Sequence, residues 1–323
     1  MDISIIIVNY KSWNALSALL ESIDSLKLKS CTVETIVVDN CSNDGKIIEF
    51  KENFSSVKFF ENTGNNGFSN GCNYGASKAS GTYLFFLNPD TELNQNALEK
   101  LWQSAKENPN FGIVTCNQYN ESGKKYNQIR FFPSLLTLFG SFRIVYKIIN
   151  KKKINRQFST ENKILHPDWT TGAVIFMSDY WFKKCNGWNE KYWLYFEDVD
   201  ICRRIKNCGG TIALLTDCSI LHKHGGASRI NIKTKALTKT EVLISQHVYF
   251  SENYKGIILY IIQLLLVLSL SIQKAFMAII GLLFMFIPKL QVNYFIYFNL
   301  KAYYWNAILN KTWISPRATQ YKK

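Results

Sequence analysis

Six prolines, four histidines and four methionines are all that 323 residues contain of those types, and the eight cysteines form no CxxC pair. Cys202 and Cys208, the nearest couple, have no further ligands at a finger-type spacing, so a structural zinc site is excluded and the thiols read as reduced and mostly buried. The start does not read as a secretory leader either: it carries no basic cluster, and the apolar run Ile3 to Val8 is too short for a signal h-region. That run reads as a strand, and the body of the chain is expected in the cytoplasm. Acidic side chains are the scarcer sign, 24 Asp and Glu against 38 Lys and Arg. The resulting +14 favours anionic partners such as nucleotide phosphates, lipid phosphates or anionic bilayers. No RNA or DNA module accompanies the charge, which excludes nucleic acid. Gly64, Gly67 and Gly71 do not make a GxGxxG fingerprint, which disfavours a dinucleotide fold.

What the chain does contain is apolar surface, with 47% hydrophobic and 15% aromatic residues. At this length one large unit with an appended smaller one is expected, here 1–228 and 229–323. Ser4 to Val8, Thr35 to Asp39, Val57 to Phe60 and Tyr83 to Leu87 read as strands; Asn14 to Leu26 and the small-residue-rich Asn70 to Ser80 read as helices. This βαβ order predicts an α/β fold with a mainly parallel sheet flanked by helices. Ligands of such sheets bind beyond the carboxyl ends of the strands, so Asn9, Tyr10, Asp39, Asn40 and Asp90 are expected around one crevice.

Between Gln118 and His166 no clear period is visible, and with the basic run Lys151, Lys152 and Lys153 the segment reads as a loop-rich excursion over the crevice. From Gly256 to Ile287 the sole charge is Lys274. As one helix the stretch would be roughly 48 Å long at about 1.5 Å per residue, against a hydrocarbon thickness of ~30 Å. Split at Gln273 and Lys274, each half is short for a span. A single tilted span, a re-entrant hairpin, an interfacial helix pair and a buried core pair are its four readings, and Tyr, Trp and Lys flank it on both sides.

Three separated stretches carry the chemistry: SIIIVNY (Ser4 to Tyr10) with VVDNCSNDG (Val37 to Gly45), NNGFSNGCNYG with LFFLNPDTEL (Asn65 to Leu93), and GWNEKYWLYFEDVDICRRIKNCGG (Gly187 to Gly210). Asp90 follows an apolar strand with Pro89 fixing the turn, so its carboxylate would face the crevice and hold a diphosphate-bound Mg²⁺ or Mn²⁺; alone, it is an ordinary turn aspartate. Glu197 and Asp198 lie among Tyr192, Trp193, Tyr195 and Phe196, where desolvation would raise a carboxyl toward a useful base. The bland alternative is capping of the following helix, for Asp200 above all. His222 ends the run Ser219 to Leu221, with His224 close behind, and an imidazole there is either a ligand or structural.

In this order the motifs, over about residues 2 to 228, resemble the inverting glycosyltransferase family 2 with its GT-A fold; NPDTEL and YFEDVDICRR resemble its rhamnosyltransferase-type branch, which assembles bacterial O-antigens and related polysaccharides. The resemblance implies a nucleoside diphosphate sugar as donor, dTDP-rhamnose first and a UDP-sugar as the alternative. It implies a polyprenyl-diphosphate-linked glycan as acceptor, the membrane surface as partner, and the cytoplasmic face of the bacterial inner membrane as location. Asp198, paired with Glu197, would be the general base. Asp39 would bind the nucleotide base, with Asn9 and Tyr10 in the same pocket and Asn65, Gly67 and Asn73 in the donor segment. Asp90 and His222 would hold a divalent metal, Mg²⁺ or Mn²⁺, and Asp168, Trp169 and Gly172 would face the acceptor. The family's usual Asp-x-Asp is here Asn88-Pro89-Asp90. A processive synthase would carry Gln-x-x-Arg-Trp where this chain has Gln246-His247-Val248-Tyr249-Phe250. A non-catalytic scaffold would have lost an acid, yet Asp39, Asp90 and Asp198 are all present.

Overall fold

The computed structural model describes residues 1–28, 30–127, 130–134, 140–152, 154, 158–159, 162–223 and 231–321. The chain divides into two compact units. The first takes 1–65, 71–188 and 198–224, and the second 66–70, 189–197 and 225–323.

The first unit is built on a nine-stranded sheet. Its strands are β1 (Ile3–Asn9), β2 (Val33–Asp39), β3 (Lys58–Glu61), β4 (Tyr83–Leu87), β5 (Thr91–Glu92), β6 (Phe111–Tyr119), β7 (Ile164–Leu165), β8 (Val174–Ser178) and β9 (Thr211–His222). They lie in the order β3-β2-β1-β4-β8-β6-β9-β5, with β7 alongside β9. The β3-β2-β1-β4 half is parallel throughout. β8 then enters antiparallel to β4 and β6, while β6 and β9 run parallel. The sheet is therefore mixed: past residue 90 the helix-per-strand alternation lapses, and with it the crossovers that parallel pairing requires.

Around it pack α1 (Trp13–Asp24), α2 (Lys46–Asn53), α3 (Phe68–Ser77), α4 (Gln95–Glu107), α5 (Gly140–Ile149), α6 (Asp179–Lys184) and α7 (Glu197–Asn207). All seven residues of β1 are buried, as a strand covered on both faces requires. α1 feeds Trp13, Leu16, Leu19 and Leu20 into the same core at helical spacing. The small residues of α3 let it sit directly on β1: a Cβ at Gly71 would stand 2.7 Å from Val8 Cγ1, and one at Gly75 2.5 Å from Ile6 Cγ2. α3 stops at Ser77, short of the expected Ser80, because the Ser80 N–H and hydroxyl both donate to buried Glu34 (2.7 and 2.8 Å) and draw the chain out of the helix. The excursion expected from Gln118 to His166 contains α5, on which exposed Ile144, Val145, Ile148 and Ile149 recur at spacings of three and four. Lys153, from the basic run, and His224 lie outside the described residues.

The second unit contains α8 (Ile232–Asn253), α9 (Gly256–Leu283) and α10 (Pro288–Asn310), joined through a small cluster of Ala236, Val292 and Ile296. α9 runs unbroken through Gln273 and Lys274, since neither residue opposes helix. Its 28 residues include an 18-residue window of mean hydropathy 2.2, of which only 17% is buried. By length and composition α9 could cross a membrane, and a buried core pair is not what forms. The polar side chains of this unit go inside instead. His247 sits between Gln263 Oε1 (2.5 Å) and Tyr304 OH (3.2 Å) and stacks on Trp313 at 4.9 Å. Glu241 is fully buried and accepts from Arg317 (3.1 Å).

Candidate active site

The carboxyl ends of β1 and β2 bring Asn9 opposite Asp39 in register. Asn9 Nδ2 donates to Asp39 Oδ1 (3.0 Å), and Ser42 donates its N–H to Oδ2 (2.8 Å) and its hydroxyl to Oδ1 (2.6 Å). The two turns that follow these strands have left-handed backbone, at Lys11 after β1 and at Cys41 and Asn43 after β2. Asn40 and Asn62 extend the cluster, Asn40 Nδ2 donating to Asn65 Oδ1 (3.1 Å) and Asn62 Nδ2 to Asn40 Oδ1 (3.0 Å). Tyr10 lies beside it, half-buried, its ring 5.5 Å from Lys11 Nζ. Asn9, Tyr10, Asp39 and Asn65 are thus gathered at one strand edge, with a lysine ammonium among them.

Asn73 has a different task. Its amide Nδ2 donates to Trp188 O and its Oδ1 accepts from Trp188 N, both at 2.9 Å, which makes it a brace for the chain ahead of the acidic motif rather than part of that edge. Gly67, in the second unit, has φ +93° and no room for a side chain: a Cβ would come 2.3 Å from Trp193 O.

Asp90 and His222 meet because the two-residue β5 pairs with the end of β9, Thr91 opposite His222. His222 Nε2 lies 3.3 Å from Asp90 Oδ1. On the other side of the ring, Nδ1 is 2.9 Å from Gln118 Oε1, and Gln118 Nε2 donates to Thr171 Oγ1 (3.0 Å). With Gln118 Oε1 as acceptor, Nδ1 carries the proton, and Nε2 confronts the carboxylate either as a second N–H or as a lone pair with a cation to share. No group of three or more His, Cys, Asp or Glu that could hold an ion exists among the described residues. One carboxylate and one imidazole oriented by an amide nevertheless fit a divalent ion that takes its remaining ligands from a substrate diphosphate and water.

Asp198 lies in the first turn of α7, surrounded by protein but not sealed from solvent. Its carboxylate accepts from Gly172 N (3.1 Å) and Val199 N (2.8 Å). Burial pushes its pKa up, and the two N–H groups and the charge of Arg130 pull against that rise without cancelling it. Asp200, the alternative acid, is committed elsewhere: Arg204 Nε holds it at 2.7 Å. Glu197 is buried at the helix start. Just ahead of it Tyr195 and Phe196 both have left-handed backbone, φ 70° and 66°, which costs roughly 1–3 kcal/mol each in non-glycine residues and is characteristic of functional turns.

The turn that leads into β8, Gly172 and Ala173, joins these groups. Asn88 N donates to Ala173 O (3.0 Å), while the neighbouring Gly172 N reaches Asp198, so the turn bearing Asp90 and the buried acid hang from consecutive residues. Asp168 and Trp169, expected to face an acceptor, instead hold Arg130. Asp168 N donates to Arg130 O (3.0 Å), its Oδ2 accepts from Phe132 N (3.1 Å), and Lys206 anchors its Oδ1 (2.9 Å). Trp169 Nε1 donates to Phe131 O (3.0 Å), and its ring lies 4.5 Å beneath the Arg130 guanidinium. Arg130 and Gln118 touch these groups and lie in none of the three motif stretches, while Ser42 lies within VVDNCSNDG without having been singled out there. A lone arginine beside Phe131, Phe132 and Pro133 was the only available signal.

Residues 4–181, more than half of the chain, match Glycosyl transferase family 2, and residues 154–224 match the N-terminal domain of galactosyltransferase. The low-salt glycan biosynthesis hexosyltransferase Agl10 of Haloferax volcanii is 26% identical over 211 residues, covering 64% of this chain and 62% of that protein. The N-acetylglucosaminyl-diphospho-decaprenol L-rhamnosyltransferase of Mycobacterium tuberculosis is 20% identical over 206 residues, covering 59% of this chain and 66% of that protein. The chain thus aligns with less than two thirds of either relative. Among solved structures, GalNAc-T7 with UDP, GalNAc and Mn²⁺ superposes with a TM-score of 0.55 at 16% identity over 76% of this chain and 48% of that one, which shows a shared GT-A fold.

Proposed function

The chain belongs to glycosyl transferase family 2, and from that premise we propose that it moves a sugar, rhamnose from dTDP-rhamnose, with inversion onto a polyprenyl-diphosphate-linked glycan at the cytoplasmic face of a bacterial inner membrane. The observation that carries the reading is the suspension of the Asp90 turn and of Asp198 from adjacent residues, Ala173 and Gly172. Asp90, read here as a carboxylate for the cation that offsets the diphosphate, and Asp198, whose proton affinity burial raises, share that support. The rhamnosyl donor and lipid-linked acceptor draw on motif wording and on the activity named for the mycobacterial relative.

The steps follow from the side chains. Asp39 with Asn9 and Tyr10 receives the nucleotide at the strand edge. Asp198 accepts the proton of the acceptor hydroxyl as that oxygen attacks the anomeric carbon, and burial, by raising its proton affinity, makes it a stronger base than an exposed carboxylate. Arg130 holds the Asp198 charge in check before the proton arrives. The sugar–diphosphate bond breaks on the opposite face, which inverts the configuration. A divalent ion held by Asp90 and His222 would offset the charge of the departing diphosphate.

A panel of sugar nucleotides in a thermal-shift assay, with and without Mn²⁺ or Mg²⁺, tests the reading, since a ligand of the native state raises Tm. A metal-dependent shift with dTDP-rhamnose is expected. A shift confined to UDP-sugars would overturn the donor, and none with any donor would favour a non-catalytic scaffold.

A further inference from the structure

We propose that the second unit docks on membranes rich in anionic phospholipid through a lysine-lined cavity that receives the lipid head group beside the apolar face of α9. The inference rests on the membrane association proposed above and not on the identity of the sugar.

A cavity of about 540 Å³ opens where α8 and α10 begin, lined by Asn231, Ile232, Lys235, Lys239, Pro288 and Lys289 among others, and no described lining residue is acidic. Lys274 on α9 stands close enough to Lys239 for their charges to oppose each other. Gathering like charges is unfavourable unless an anion offsets them. The first turn of α10 adds to the positive field, because Ile287 supplies no side-chain cap and Pro288 opens the helix. Water and salt could serve any lysine cluster, but this one borders a surface that water does not suit. Ile272, Phe276 and Leu283 at the end of α9 and Phe284 and Phe286 in the turn after it, which leads to the cavity, are all exposed. Aliphatic and aromatic side chains at acyl depth with ammonium groups at head-group level is the pattern of an interfacial anchor, and the charge selects phosphate-bearing, net-negative lipid over zwitterionic lipid.

The test is co-sedimentation of the full chain with vesicles of phosphatidylcholine alone and of phosphatidylcholine with phosphatidylglycerol. Anionic vesicles should bind the protein more tightly, by about fivefold for each lysine engaged. Replacing Lys235, Lys239 and Lys289 together by glutamine should remove on the order of a hundredfold of that affinity with Tm unchanged, while arginine at the same positions keeps it. Replacing Lys27, Lys124 and Lys183, which are exposed on the first unit, by glutamine supplies an equal loss of charge. Equal weakening by that control would show diffuse attraction and overturn the cavity. Equal binding of both vesicle types would overturn the head-group preference while membrane association survives. No binding to either would overturn the association itself, whatever the sugar-nucleotide panel gives.

Discussion

In the first unit Ile5, Ile6, Phe85 and Phe176 are sealed from water and the carboxylates gather at strand ends. In the second, Glu241, His247 and Gln263 are sealed, while Ile257, Tyr260, Leu264, Leu268 and Phe276 stand exposed. The first arrangement is what water imposes on a chain. The second suits a surface that meets acyl chains, with its polar groups paired among themselves because nothing outside would pair them. One chain therefore shows two partitions of polarity, one in each unit.

The largest effect that would sharpen this contrast is chemical and confined to the first unit. Asp198→Asn should lower turnover by roughly 10²- to 10⁴-fold, the usual contribution of a general base, with donor-induced thermal shifts retained. Undiminished turnover would show that another group takes the proton.

Acidification should separate the units. Burial holds the His247 imidazole down to about 4 against the opposing bond to Gln263, below the 6.5 of an exposed histidine. Between those values the unfolded chain binds the extra proton, so stability contributed by the second unit falls as pH drops from 6.5 toward 4, by about 3 kcal/mol at most. Glu34 of the first unit behaves the same way in a lower window. Burial opposes its ionisation, but Lys58, Ser4 and Ser80 outweigh burial and hold its carboxyl at about 2, below the usual 4.5. Its contribution is present above 4.5 and lost only as pH falls toward 2. Unfolding followed by tryptophan fluorescence across pH 7 to 3 should lose the second unit's signal first; His247→Leu should flatten the upper part of that profile. Simultaneous loss at every pH would break the comparison.

Gln118→Leu should raise the Mn²⁺ concentration for half-activation by roughly 10- to 100-fold, because the imidazole of His222 loses the partner that fixes its tautomer. An unchanged metal titration would remove His222 from the ion's ligands. The smallest effect is a displacement of the pH profile. Arg130→Met deletes the positive charge that restrains Asp198, so its pKa should rise further and the acidic limb of kcat/KM should move to higher pH. Trp169→Leu, which removes only the platform under Arg130, should move it in the same direction by less.

The parallel half of the sheet was legible because β1, β2 and β4 are buried on both faces and flanked by helices of clear period. That condition makes composition and spacing sufficient. The antiparallel half was not, since β5 has two residues and β8 follows a segment with no regular signal. α5 was missed for a related reason: its ten residues lie in a stretch of nearly fifty with no clear period as a whole. Motif order singles out Asp39, Asp90 and Asp198, whereas nothing in it marks Arg130 and Gln118, because their contacts are with Trp169 and His222, 39 and 104 positions away along the chain.

By itself the sequence determined the kind of chemistry and the existence of an apolar tail, because acids after apolar strands and a long uncharged run are local properties. Tertiary structure decided which distant groups each acid meets. Arg204, one turn further along the same helix, holds Asp200, a local pair, whereas Asp198 accepts from the N–H of Gly172, 26 residues earlier, a partner that only the fold supplies. Register and burial assign such partners, and they depend on how strands from distant parts of the chain align.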